Sequence, residues 1–256
     1  MCDPVASVTI RRRDFDAAIF DLDGVLTETA RVHAAAWKAA FDAFLARWAE
    51  RHALAFQPFD IGSDYLKYVD GRPRHEGIRT FLAARGINLP EGSEQDPEDA
   101  ETVHALGKRK TRLFLQALKM GISPATGGIA LLGRLREAGI RTAIGSSSKN
   151  TGAILQAAGL EHHVDVCVDG VDAESLNLPG KPDPALFLEV ARRLNVQPAR
   201  VILFEDALAG VEAGKRGGFG RVVGIDRGEQ NRSLRQHGAD VVIKSLREVH
   251  VAGLHN

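Results

Sequence analysis

Cysteine is almost missing from this chain: Cys2 and Cys167 are the only two in 256 residues. Two thiols cannot make a disulfide framework, which fits a reducing, cytoplasmic compartment. No apolar run approaches the roughly 20 residues needed to span a bilayer. No apolar segment follows a basic start in the manner of a secretion signal. The expectation is a cytoplasmic protein with no membrane partner. Excess charge of either sign is missing too, since 33 Lys and Arg balance 33 Asp and Glu. That balance argues against nucleic acid as a partner, while leaving room for a local basic pocket. Internal repeats and low-complexity tracts are absent, and nothing in the composition asks for more than a monomer.

What the chain does have is a change of rhythm. A 44% hydrophobic content over this length supports one large domain, or a core with a smaller second one. Residues 1–13, with Arg11-Arg12-Arg13, read as a flexible N-terminal arm. Ala17 to Phe20 is a short apolar run of the kind that forms a buried strand. From Val32 to Phe44 apolar residues recur at helical spacing. Arg47 to Val69 is mixed, and Pro58 and Gly62 break it. Gly71-Arg72-Pro73-Arg74 is a tight basic turn that opens a helix carrying Ile78, Phe81 and Leu82. Gly86 to Asp99 reads as a polar loop, and a further helix carries Val103, Leu106, Leu113, Phe114 and Leu118. After Gly121, strands near 140–144, 164–168, 201–204, 221–225 and 241–243 alternate with helices, the signature of a parallel sheet. The expected architecture is α/β. A Rossmann-like parallel core, residues 14–31 and 119–251, is interrupted after its first strand by an all-helical cap, residues 32–118. Because the insertion leaves and re-enters near that strand's end, it could act as a lid.

Chemistry-bearing residues gather at the ends of these strands, where ligands bind in parallel sheets. The first strand runs straight into Asp21-Leu22-Asp23-Gly24. Two carboxylates about 4 Å apart repel by roughly 4 kcal/mol at an effective dielectric near 20, so such a pair wants a cation or a shared proton. The second strand ends in Ser146-Ser147-Ser148 before a helix. Hydroxyls, backbone N–H groups and the helix dipole there suit a phosphate, although serines also serve as ordinary helix caps. Lys181 lies in a Gly-Lys-Pro loop, and Glu205-Asp206 ends a four-residue apolar run. Four carboxylates at one sheet mouth call for a divalent cation, and an all-oxygen donor set favours Mg²⁺. Thr29 and His33 stand one helical turn apart just downstream. A cation, a lysine and a helix N-terminus together make a site for an anion, and phosphate fits best.

These residues resemble the haloacid dehalogenase-like phosphotransferases, with Phe20-Asp21-Leu22-Asp23-Gly24-Val25, Ser146, Lys181 and Glu205-Asp206 in the order of that family's four motifs. Within it, Thr29, His33, Ser146-Ser147-Ser148-Lys149-Asn150 and Lys181-Pro182 are similar to the β-phosphoglucomutase-like subfamily. The resemblance implies that Asp21 is the nucleophile and Asp23 the general acid and base. It implies Mg²⁺ on Asp21, the Asp23 carbonyl, Asp206 and Glu205. It also implies that Ser146 and Lys181 hold the transferring phosphoryl group, with Ser147, Ser148, Lys149 and Asn150 beside them. In the cap, Arg74 falls where the subfamily grips a second phosphate, and Lys110 where a lysine works with the histidine matched by His33. The implied partners are a phosphorylated sugar and a sugar bisphosphate. Ala207, Gly127-Gly128 and a longer, more polar cap depart from the subfamily pattern. Two rival functions share the fold: a phosphatase of small phosphorylated metabolites, and a non-catalytic sugar-phosphate-binding module.

Overall fold

The structure is a computed structural model that describes residues 7–228 and 230–253. The chain divides into two compact units: Met1–Glu28 with Ile122–Asn256, and Thr29–Gly121. The boundaries fall a few residues outside the expected insertion on either side.

The first unit is the parallel α/β core. Its six-stranded sheet contains β2 (Ala17–Phe20), β3 (Arg141–Gly145), β4 (Val166–Val168), β5 (Val201–Glu205), β6 (Arg221–Ile225) and β7 (Val241–Ile243), in the order β4-β3-β2-β5-β6-β7. All neighbours are parallel. β2 is buried throughout, as its unbroken apolar run requires for a strand covered on both faces. It pairs with β3 on one side and β5 on the other, with Phe20 opposite both Ile144 and Phe204. The order reverses at β2, so the switch point that favours ligands lies at its carboxyl end. The helices α4 (Gly128–Glu137), α5 (Thr151–Ala158), α6 (Gly170–Ser175), α7 (Ala185–Leu194), α8 (Leu208–Arg216) and α9 (Asn231–Gln236) connect the strands. Ile19, Leu203, Phe187, Val190 and Val211 are fully buried in the resulting core.

The N-terminal arm is corrected. Residues 1–6 and Glu229, the expected start of a helix, lie outside the described residues. Val8–Arg11, however, is a strand, β1, paired in parallel with β8 (Val249–Ala252) from Val8 opposite Val249 to Arg11 opposite Ala252. Val8 and Ile10 point inward and are 2% and 0% exposed, the alternation of a half-buried strand. Arg12 pairs with Asp16 rather than with a distant partner.

The second unit is helical. α1 (Ala30–Arg51), a π-helical segment (Ile61–Val69), α2 (Arg74–Ala84) and α3 (Val103–Leu118) make it up. α1 runs into the start of the stretch expected to be mixed, ending at Arg51, and the π-helical segment begins after Pro58 and includes Gly62. Phe41 stacks on Trp37 and Phe59, with ring centroids 5.1 and 4.8 Å apart, and meets Phe81 at 4.4 Å. Burying each such ring contributes about 1.5–3 kcal/mol, so this aromatic cluster gives the insertion its own core.

Candidate active site

The turn after β2 is built around one carbonyl. Leu22 O accepts from the N–H groups of Leu26 and Thr27, each at 3.1 Å, and from the Thr27 hydroxyl at 3.0 Å. Gly24 closes the turn with φ +87°, donating to Thr27 O at 2.8 Å. Such a conformation strains any residue with a Cβ. A Cβ at Gly24 would also overlap the Asp206 carboxylate. The glycine therefore lets the ends of β2 and β5 approach each other. The two chain crossings to the helical unit run side by side below it, with Ala125 N–H on Leu26 O at 2.8 Å and Glu28 N–H on Ser123 O at 3.1 Å.

Asp21 is 7% exposed, and its Oδ1 accepts from Lys181 Nζ at 2.6 Å. Lys181, 1% exposed, also donates to Glu205 Oε1 at 2.7 Å and lies over the Phe187 ring. Glu205 is fully buried, and its Oε2 accepts the N–H groups of Asp206 and Ala207, each at 2.7 Å. Gly210 makes the seat for that carboxylate, which a Cβ there would overlap. Both Glu205 oxygens are thus engaged, one in holding the lysine and one in capping its own strand end. Glu205, expected from the resemblance as a metal ligand, thus holds Lys181 through one oxygen and its own strand end through the other.

Burial pushes the Asp21 carboxyl up to about 7; Lys181 opposes the shift, while Glu205 and Asp23 add to it. Burial works against the Lys181 charge, but Asp21 and Glu205 outweigh it and hold its pKa above the ordinary lysine value. Asp206, 3% exposed, pairs with Arg227, which stands just past the end of β6. Arg227 is the residue that sequence reasoning missed. Its signal was available, since Asp226-Arg227 follows a strand at the same sheet edge, but the dipeptide reads as an ordinary turn.

The serines divide. Ser146 is 1% exposed; its N–H donates to Val168 O at 3.0 Å, and its Oγ accepts the Ser148 N–H at 3.1 Å. A hydroxyl that accepts in this way can still donate its own proton. Ser148 Oγ takes the Asn150 N–H at 3.1 Å, and Asn150 opens α5. Ser147 follows Ser146 at this strand end, half-buried. Lys149 does not join the group; it is ion-paired with Glu174 at 2.6 Å.

The helical unit holds the other expected residues. Thr29 is fully buried and its carbonyl accepts the His33 N–H at 2.9 Å. His33 Nδ1 lies 2.7 Å from Lys110 Nζ, both residues being buried. Lys110 also lies over the Trp37 and Phe114 rings, 5.1 and 4.8 Å from their centroids. Arg74 is the first residue of α2 and lines a cavity of about 460 Å³ together with Glu98, with Lys108 and Arg112 of α3, and with Lys119 just past the end of that helix.

The chain as a whole is similar to known proteins. The chain is 47% identical to a β-phosphoglucomutase of Mycobacterium tuberculosis, over 91% of its own length and 90% of that protein. It is 30% identical to a phosphorylated carbohydrates phosphatase of Thermotoga maritima, over 90% and 94% of the two chains. The crystal structure of a β-phosphoglucomutase from Clostridium difficile matches with a TM-score of 0.71 at 25% identity, covering 91% of this chain and 92% of that one. Residues 15–218 match the model of the haloacid dehalogenase-like hydrolases. A family model that spans most of the chain, and relatives of this identity and coverage, show that the chain belongs to the haloacid dehalogenase-like hydrolase family.

Proposed function

We propose that this protein is a Mg²⁺-dependent phosphosugar mutase that converts β-D-glucose 1-phosphate to glucose 6-phosphate through an aspartyl phosphate. The observation that carries the reading is the buried Lys110–His33 contact in the helical unit. A hydrolase needs nothing there beyond water, whereas a mutase must orient a sugar in two directions. The 47% identity to a β-phosphoglucomutase supports the same reading.

The residues present suit a hard divalent cation. Asp21, Glu205 and Asp206 are buried against a single buried lysine, and every available donor is oxygen. Asp21, the Asp23 carbonyl and Asp206 would hold the ion, with Glu205 kept on Lys181. Bound there, it would neutralise charge on the transferring phosphoryl group. Asp21 attacks phosphorus in line, forming the acyl phosphate as the bond to the sugar oxygen breaks. Asp23 gives its proton to the departing oxygen and later takes one from the incoming hydroxyl. Lys181 keeps its charge in the presence of Glu205 and faces the equatorial oxygens, which the Ser146 hydroxyl also reaches as a donor. Arg74 would grip the second, non-reacting phosphate of the sugar bisphosphate.

Incubation with β-glucose 1-phosphate, Mg²⁺ and a trace of glucose 1,6-bisphosphate tests the reading. Glucose 6-phosphate should form with little free phosphate. Free phosphate as the main product would favour the second reading, a phosphatase of small phosphorylated metabolites, which the 30% likeness to the Thermotoga maritima enzyme favours. No turnover of any phosphoester would leave only the binding module.

A further inference from the structure

The helical unit holds a cluster that the proposed reaction does not use. His75, Glu91 and His104 each present a ligand atom within 4.8 Å of the others. They come from three separate places: the first turn of α2, the polar loop after Pro90, and the first turn of α3. From the geometry we infer that these side chains form a transition-metal site, for Zn²⁺ or a borderline cation like it, that staples the loop to both helices.

The donor set comes first. Two imidazoles and one carboxylate are a common zinc complement, and they are poor ligands for Mg²⁺, which takes oxygen. Tetrahedral coordination at 2.0–2.1 Å puts ligand atoms about 3.4 Å apart. His104 Nε2 and Glu91 Oε1 already approach to 3.9 Å, and rotation of the exposed Glu91 side chain closes the remaining gap.

The backbone holds the ligands in place. Val103 N–H donates to Pro90 O at 3.0 Å and His104 N–H to Glu91 O at 3.1 Å, so the loop and the start of α3 are in fixed register. The two imidazole rings lie with centroids 4.2 Å apart and planes tilted by 46°. Gly107, one turn along α3, makes room for them: a Cβ there would come within 3.1 Å of His75 Cδ2 and Nε2. Arg79 donates to Glu91 Oε1 at 2.6 Å, but both side chains of that pair are 51% exposed. An exposed pair of this kind contributes little and gives way to a metal–carboxylate bond. The positive ends of two helices oppose the cation, and direct ligand bonds outweigh that screened effect. The half-exposed carboxylate leaves a fourth position open to water.

The test uses the untagged full-length chain with saturating Mg²⁺ present, so that the oxygen sites of the core are occupied. Co²⁺ serves as the first probe, since tetrahedral binding produces visible ligand-field absorption; Zn²⁺ is then titrated against a chromophoric chelator. One equivalent should bind, and Zn²⁺ should raise the melting temperature. His75→Ala and His104→Ala should each weaken Zn²⁺ binding at least ~10-fold, by comparison with the 10–100-fold typical even for outer-shell changes. Gly107→Ala should weaken it too, by displacing the His75 ring. Glu91→Gln keeps the shape of an exposed side chain and reads the same loss should a histidine variant fail to fold. No binding to the wild type, or binding that survives in Glu91→Gln together with a histidine variant, would overturn the site.

Discussion

The two units bury opposite charge. Among the described residues the core buries Asp21, Glu205 and Asp206 with one lysine, whereas the helical unit buries His33, Arg109 and Lys110 and no acid. Burying a charge costs several kcal/mol unless it is paired, so neither arrangement follows from stability alone. In the core the surplus is negative, and burial first, with Glu205 and Asp23 adding to it against Lys181, raises the Asp21 carboxyl. In the helical unit the surplus is basic, tempered by aromatic faces and carbonyls: Lys110 lies over two rings, and Arg109 donates to Ala100 O at 3.0 Å. Burial pulls the Arg109 pKa down, with Arg47 adding to that effect. On the proposed reading, the acid-rich core would take the metal ion and the base-rich helical unit an anion.

Asp21→Asn should break the core's half of this comparison outright. An amide cannot form the acyl phosphate, so activity should fall by at least ~10³-fold, as expected when a nucleophile is removed. Wild type should be trapped by beryllium fluoride and the variant should not, with the circular dichroism of the two unchanged. A variant that keeps a tenth of the activity would move the nucleophile elsewhere. Asp23→Ala separates chemistry from metal binding within the same turn. Loss of a general acid and base costs ~10²–10⁴-fold. Mg²⁺ affinity, measured by calorimetry, should hold, because Asp23 would offer only its carbonyl. A variant that loses Mg²⁺ would make its side chain a ligand.

Arg74→Ala sharpens the contrast between the units. Removing a charge-assisted grip on phosphate should cost about 2–4 kcal/mol, or roughly 30- to 1000-fold. Conversion of β-glucose 1-phosphate should drop by that factor. Hydrolysis of acetyl phosphate, which has no second phosphate, should stay within about twofold. Equal loss on both substrates would make Arg74 a structural residue, and no loss on either would return the phosphatase reading.

The core was legible because its chemistry is local. Four apolar residues followed at once by Asp21-Leu22-Asp23-Gly24 mark both a buried strand and its end, and the alternation of strands and helices after Gly121 marks a parallel sheet. Long-range pairing was not legible. Val8 and Ile10 show only two inward positions, and their partner strand begins far along the chain at Val249, so the first residues read as an arm. The direction of a buried side chain was hidden for a related reason. Glu205 stands next to Asp206 and looks like a second ligand in the sequence. Only the fold brings Lys181 and two backbone N–H groups onto its oxygens. Lys149 likewise follows three serines, yet Glu174 of α6 pairs with it.

The smallest effect belongs to a charge pair that does no chemistry, and it tests whether burial is what separates the two classes. Asp16 precedes β2, and Arg200 grips both its oxygens at 3.0 Å from Nε and Nη2. The Arg200 hydrogen bonds hold the Asp16 carboxyl down at about 2; slight burial opposes this, and Arg12 adds to it. The folded pKa lies below the unfolded value near 3.9, so the unfolded chain binds the proton more tightly. Stability from this pair is therefore complete above pH 4 and is lost as pH falls through about 2. The side chains are 26% and 37% exposed, so solvent screening cuts the contribution to about 1 kcal/mol. Asp16→Asn should lower the melting temperature by roughly 2–4 °C at pH 7. The gap between variant and wild type should shrink at pH 3 and narrow with added salt, while turnover of β-glucose 1-phosphate stays unchanged. A gap that is constant from pH 7 to pH 3 would assign the loss to the Asp16 backbone turn, where its N–H donates to Arg200 O at 2.8 Å, rather than to its charge.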